Sequence, residues 1–326
     1  MAAYTTIDDP SAYFQIKLYT AAGAYTFDGN SDMQPDWMWI KERNGTNEHN
    51  LFDSVRGTTK RLESSTNAAE QTSSTTLTAF GSDGFTVGTN PGTGQNGSNY
   101  VGWGWKETAD AGFDIVTYSG SSASSKTVSH NLSAVPKMIL VKCRSAGENW
   151  AVYHHTLGNT HALFLNTTGG SSDTPVFADT TPTASVFSVN ADDRTGANGK
   201  TYVAYVFAEK QGFSKFGSWT GNANANGPSI YTGFKPAWLM LKTTASNSSN
   251  WQMLDNKRQG LNPENETLNP NNPDAEGTAN TIDFVSNGFK IRTSNAEFNG
   301  DGLEYIYMAF AESPFVTSGG VPTTAK

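Results

Sequence analysis

The residues of this 326-residue chain that could do chemistry are five histidines, one cysteine and a few carboxylates that sit side by side. A nucleophilic triad needs Ser or Cys, His and a carboxylate brought together. His49, His130, His154, His155 and His161 lie in no G-x-S-x-G elbow or comparable motif. His154 and His155 with His161 could hold a metal, but their spacing fits no established ligand pattern, and Cys143 is remote in sequence. They read as polar groups at the surface or between structural units. Cys143 follows an apolar run and reads as an ordinary side chain.

Paired carboxylates could hydrolyse a glycosidic bond. The options are Asp8-Asp9, Asp53 and Asp192-Asp193. Asp192-Asp193 lies in Asn190-Ala-Asp-Asp-Arg-Thr-Gly196, a loop composition, where adjacent carboxylates are usually solvated. This loop and Asn299-Gly-Asp-Gly302 offer oxygen ligands for Ca²⁺, yet neither follows the EF-hand pattern, so both read as turns. Asp53-Ser-Val-Arg56 and Asp255-Asn-Lys-Arg258 share an Asp-x-x-Arg, read as a salt bridge or Asx-turn closing a strand. Tyr153-His154-His155 stands in the corresponding place of the middle copy. Trp150, Trp251 and Trp219 could stack on sugar rings, but most tryptophans of a β-sandwich pack its core. No catalytic residue, cofactor-binding residue or metal ligand is assigned.

The elements that must position these groups recur three times. Pro35-Asp-Trp-Met-Trp-Ile-Lys41, Pro136-Lys-Met-Ile-Leu-Val-Lys142 and Pro236-Ala-Trp-Leu-Met-Leu-Lys242 are apolar on both faces, as central strands are. Their terminal lysines are expected to mark the exit to solvent. Tyr100 to Glu107, Tyr202 to Glu209 and Tyr305 to Glu312 form a second set of strand-like runs with a large face and a small face. Asn96-Gly97, Asn198-Gly199 and Asp301-Gly302 precede them and predict hairpin turns. Phe85, Phe187 and Phe289 are a third mark. The period is about one hundred residues, too long for a propeller blade. Residues 60–72 carry the one weak helical pattern. The expected fold is all-β, with three tandem homologous β-sandwich (jelly-roll-like) units: 1–108, 109–211, and 212–326 with a C-terminal tail.

Composition narrows the function classes. Charged residues are 16% and aromatics 12%, with eight Trp, so the chain is polar without being disordered. A net charge of −8 offers no basic footprint for nucleic acid or for an anionic membrane surface. No apolar run approaches the ~20 residues that span a bilayer. The acidic start, Met1 to Asp9, is unlike a secretory signal, and a lone cysteine excludes an internal disulfide framework. Assembly in a reducing cytosol is expected, and Asn-x-Ser/Thr sequons such as Asn44-Gly-Thr46 then carry little meaning.

The strings Gln34 to Lys41, Leu51-Phe-Asp-Ser-Val-Arg-Gly57, Lys60-Arg-Leu62, Ser82-Asp-Gly-Phe85 and Tyr100 to Lys106 resemble a repeat in virion proteins of marine tailed bacteriophages. The likeness continues through Asn149 to His154 and Tyr202 to Glu209 and covers most of residues 10–315. Gln259 to Thr278, rich in Pro and Asn, departs from it. The resemblance implies a virion component without catalytic residues. The expected function is a non-enzymatic phage structural protein, an exterior fibre, tail-associated protein or appendage that contacts the host surface. The alternatives are a capsid decoration (cement) protein at a three-fold or quasi-three-fold site and a carbohydrate-binding module. A polysaccharide depolymerase is disfavoured because no short-period solenoid repeat is present. Expected partners are other virion proteins, further copies of the chain and a host-surface glycan or protein, with no cofactor, no nucleic acid and no membrane insertion.

Overall fold

The computed structural model describes residues 4–245, 248–278 and 282–323. The chain is all-β. Twelve strands build three larger antiparallel sheets and are numbered here in chain order. The first sheet holds β1 (Phe14–Thr20), β2 (Trp37–Glu42), β3 (Asn50–Asp53) and β4 (Asn99–Trp105). The second holds β5 (Phe113–Ser119), β6 (Met138–Cys143), β7 (Ala151–His154) and β8 (Thr201–Phe207). The third holds β9 (Ser214–Thr220), β10 (Phe234–Thr243), β11 (Gln252–Asp255) and β12 (Glu304–Pro314). The order is the same each time: β1-β4-β2-β3, β5-β8-β6-β7 and β9-β12-β10-β11. The second sheet adds two short strands, His161–Phe164 and Ser172–Asp173, beyond β7.

The registers also repeat. Phe14 faces Trp105, Phe113 faces Phe207 and Ser214 faces Phe310. Among the described residues no named strand pairs across residues 108/109 or 211/212. β2 and β6, from the first two Pro-led runs, are buried along their whole length, as their two-sided apolar pattern requires. β10 starts earlier, and its ladder shifts register around Pro236, where the missing N–H fits a bulge.

A smaller sheet accompanies each larger one. These are Gly23–Tyr25 with Gly84–Val87 and Leu77–Gly81, Lys126–Ser129 with Val186–Val189, and Ser229–Tyr231 with Gly288–Ile291 and Ile282–Val285. The recurrent phenylalanines Phe85, Phe187 and Phe289 lie on them. Phe85 fills the space left by the small face of β4, whereas Phe289 packs edge-on against Tyr307 and Trp219. A Cβ on Gly102 would stand 3.1 Å from the Phe85 ring, and one on Gly104 2.7 Å from Phe27. The small face thus receives aromatic rings rather than a closely approaching backbone.

The large faces of the three sheets meet one another. Trp37, Trp103 and Trp105, then Leu140, Tyr205 and Phe207, then Trp238, Met240 and Phe310 belong to one buried cluster. Trp105 lies 5.7 Å from Phe310, Phe207 6.1 Å from Phe310, and Trp37 5.8 Å from Phe207, ring centre to ring centre. Each such ring, taken from water, contributes roughly 1.5–3 kcal/mol. The three segments therefore share a core and are not beads on a string.

Two expectations are corrected, and the weak helical pattern at residues 60–72 is resolved. Residues 60–72 form a two-stranded ribbon, Lys60–Arg61 against Gln71–Thr72, rather than a helix. Hydroxyl-to-backbone bonds such as Thr66 Oγ1 with the Ala68 N–H compete with helix there. The Asn-Gly and Asp-Gly pairs join no hairpin, because the strands before and after them lie in different sheets. Only their glycines have positive φ, +88°, +79° and +66° at Gly97, Gly199 and Gly302, whereas a type I′ turn needs two such residues. The strand-ending lysines do not reach solvent: Lys41, Lys142 and Lys242 are each 0% exposed.

Candidate functional site

The polar residues singled out in the sequence converge on the seams between the three sheets. In the first segment β3 ends at Asp53, whose carboxylate pairs with the Arg56 guanidinium, both side chains fully buried. Arg56 also reaches Glu70 at 3.0 Å, and Glu70 is bound at 2.8 Å by Arg144 of the second segment. Tyr205 of β8 donates its hydroxyl to Asp53 Oδ2 at 2.7 Å and accepts from Arg56 Nη2 at 3.1 Å. Burial raises the Tyr205 hydroxyl well above its ordinary range.

The third segment repeats this against the first. Asp255 pairs with Arg258 at 2.6 Å, Arg258 reaches Glu276 at 2.9 Å, and Arg43 of the first segment binds Glu276 at 2.8 Å. Trp103, equivalent to Tyr205, donates its indole N–H to Asp255 Oδ2 at 3.0 Å. Glu266 and Glu276 belong to the stretch 259–278, so this Pro- and Asn-rich insert clasps the first segment. The Asp-x-x-Arg pairs are the salt bridges expected from sequence, but each works across a seam besides closing its strand.

Between the second and third segments histidines replace the ion pairs. His154 Nε2 donates to the Tyr307 carbonyl at 3.2 Å, and His155 Nε2 to the Phe216 carbonyl at 3.1 Å. Burial, with His155 alongside, pushes His154 down to about 3, so it stays neutral. A third ring position repeats the pattern. Trp150 donates to the Glu63 carbonyl at 2.8 Å, Trp251 to the Phe164 carbonyl at 3.2 Å, and His49 faces the Asn269 backbone. The contacts run second to first, third to second and first to third, so the arrangement closes on itself. No sequence pattern signalled this closure beyond the repeat.

The remaining candidates are engaged separately. Asp192 pairs with Arg194 at 2.7 Å and Asp193 with Lys200 at 2.9 Å, closing a turn. Asp9 caps a short 3₁₀ turn at Pro10–Ala12, and Asp8 accepts from the Ser318 N–H at 2.6 Å. His130 bonds the Thr183 carbonyl at 3.2 Å, and His161 sits in the ladder opposite Asp173. Asn299 donates to the carbonyls of Asn224 and Thr293, which makes its loop a turn. Among the described residues no three His, Cys, Asp or Glu are grouped as a metal site. Trp150, Trp219 and Trp251 are buried, so none offers a face to a sugar. Cys143 is buried and free.

Two sets of groups were missed from sequence. Burial pushes Lys41, Lys142 and Lys242 down to about 8. Each ammonium donates to backbone carbonyls, Lys41 to Glu42 and Gly45, Lys142 to Asn67 and Cys143, Lys242 to Thr243. The other set is the strand-ending glutamates. Glu209 pairs with Lys215 at 2.7 Å. Its equivalent Glu107 faces Asp114 instead and accepts from the Ile115 N–H at 3.0 Å. Burial first, opposed by that N–H, and then Asp114 and Asp36 push Glu107 up to about 7.

An all-β chain of three like-ordered sheets, sealed along its seams by buried ion pairs and histidines, is a repeat protein closed around a common core. Residues 9–314 match the profile of a domain of unknown function, DUF7483, and the chain belongs to that family. No curated protein and no solved structure matches it.

Proposed function

We propose that this chain is a bacteriophage virion structural protein on the particle exterior, a fibre-, tail-associated or appendage protein that presents surface to the host and performs no catalysis. In this reading residues 1–108, 109–211 and 212–326 are homologous β-sandwich units of jelly-roll type. One observation carries it: the groups able to do chemistry, Asp53, Asp255, His154 and His155, are spent holding units together. Outward-facing loops include uncharged stretches such as the exposed run Asn222 to Asn226. The sequence resemblance supplies the virion context.

A second reading, a decoration protein at a three-fold or quasi-three-fold capsid site, is favoured by the closed cycle of seams. Three fused units that contact one another in rotation imitate a trimer within one chain. Gold-labelled antibody against the chain, applied to intact particles, decides between them. Label on the tail or its appendages is expected. Label spread over the head selects the decoration reading, and no label on any particle removes the virion assignment altogether.

A further inference from the structure

The seam between the third and first segments differs from the other two because no linker runs through it. At the two covalent seams the strand-ending glutamate meets the second residue of the next sheet's first strand, Glu107 with Asp114 and Glu209 with Lys215. The third such pair would be Glu312 with Gln15. Gln15 turns away instead, donating to the Ser11 and Ser31 carbonyls at 2.8 and 2.9 Å and accepting from the Gly29 N–H at 2.7 Å. Glu312 is held by Lys235 at 3.1 Å and by Asn256 at 2.7 Å. The seam opens there into a cleft of about 420 Å³.

The cleft is concave and lined mainly by polar groups around a small apolar floor, which suits a small polar ligand. Phe14, Ile16, Ala237 and Ala311 supply apolar lining. Asp9 is fixed by the Ser11 N–H at 3.0 Å and by the Ser11 and Ser31 hydroxyls at 2.6 Å each. Asp28 is fixed by Lys17 at 2.7 Å. A carboxylate has about four lone-pair sites, so these groups keep acceptor capacity while their orientation is set by the protein. Two of the three lining acids carry their own lysine, and exposed Lys257 on the lining balances the third. The cleft is close to neutral and rich in acceptors. Its complement is a neutral ligand with many hydroxyl donors on one side and C–H faces on the other.

We infer that this cleft, bounded by Asp9, Asp28, Glu312 and the floor at Phe14 and Ala237, binds a neutral saccharide residue. The site deepens the reading of an exterior host-contacting protein and rests on it only for the source of the sugar. The test is ligand-observed saturation-transfer NMR on the whole chain with methyl glycosides of neutral hexoses and N-acetylhexosamines. Two blocking variants, Asn30→Trp and Lys257→Trp, are placed at exposed lining positions so that folding is spared. Saturable binding by the parent chain, weakened at least tenfold in both variants at unchanged melting temperature, is the expected result. Binding that survives both variants lies elsewhere and overturns the site. Absence of saturable binding to every probe at millimolar concentration also overturns it. Neither failure touches the labelling experiment, which judges the virion assignment independently.

Discussion

At the scale of single residues, buried charge dominates. Removing one partner of a buried ion pair leaves the other charge uncompensated and costs roughly 3–5 kcal/mol. Arg258→Met and Arg56→Met are therefore expected to lower the unfolding free energy by about that amount, read from urea titration. The stranded lysines give a pH signature with a definite sign. An unfolded lysine titrates near 10.5 and the folded ones near 8. Below pH 8 both states are charged, and the folded chain bears the full cost of burial. From pH 8 upward the folded chain loses the proton first, so stability rises with pH by on the order of 1 kcal/mol per unit for each lysine. Tyrosines opposes this above pH 10, because burial raises Tyr19, Tyr118 and Tyr205 in the folded state. Denaturation midpoints at pH 7.5, 9 and 10 should climb, and Lys142→Met should remove about a third of the climb. A flat profile would show that these ammonium groups are adequately solvated. The sequence showed three equivalent lysines, but a strand-ending lysine usually snorkels to water. Only the loops folded over them withhold it.

At the scale of elements, equivalent positions in the repeats act as internal controls. Glu107 opposite Asp114 and Glu209 opposite Lys215 are one joint with and without charge repulsion. Glu107 titrates near 4.5 when unfolded and near 7 when folded. Its contribution is complete below pH 4.5 and is lost as pH rises through 7. Glu107→Gln keeps an acceptor for the Ile115 N–H and offers Asp114 a donor. It should raise the melting temperature at pH 8 and leave it unchanged at pH 4. An equal shift at both pH values would show that the carboxyl does not titrate in this joint. The strand itself was legible from the alternation of Val101, Trp103 and Trp105 with Gly102 and Gly104. The hairpin reading failed because a turn signal gives the local backbone angle and not which sheet the next strand joins.

At the scale of the whole molecule, the shared core predicts cooperativity. Rings from all three segments fill one cluster, so each segment loses part of its interior when the others leave, although the first and second also keep a smaller buried cluster of their own. Calorimetry should show one transition whose measured and van't Hoff enthalpies agree. Separate transitions would mean that the seams contribute little. Phe310→Ala, at the meeting of the three sheets, should cost about 3–5 kcal/mol and lower the single transition without splitting it. The chain ends add to the same closure. The Tyr4 hydroxyl donates to the Gly233 carbonyl at 2.8 Å, and the Tyr4 ring lies 6.5 Å from Phe315.

The amino-acid order by itself settled the β class, the threefold repeat and the Asp-x-x-Arg pairing within the first and third copies. Those features follow from side-chain alternation and spacing, which act over a few residues. Only tertiary packing decided that Trp150 and Trp251 turn inward, that the arginine pairs bridge neighbouring segments and that one seam stays open. Residues between 87 and 233 positions apart meet at the seams, and no local preference of the chain encodes which of three similar surfaces lies against which.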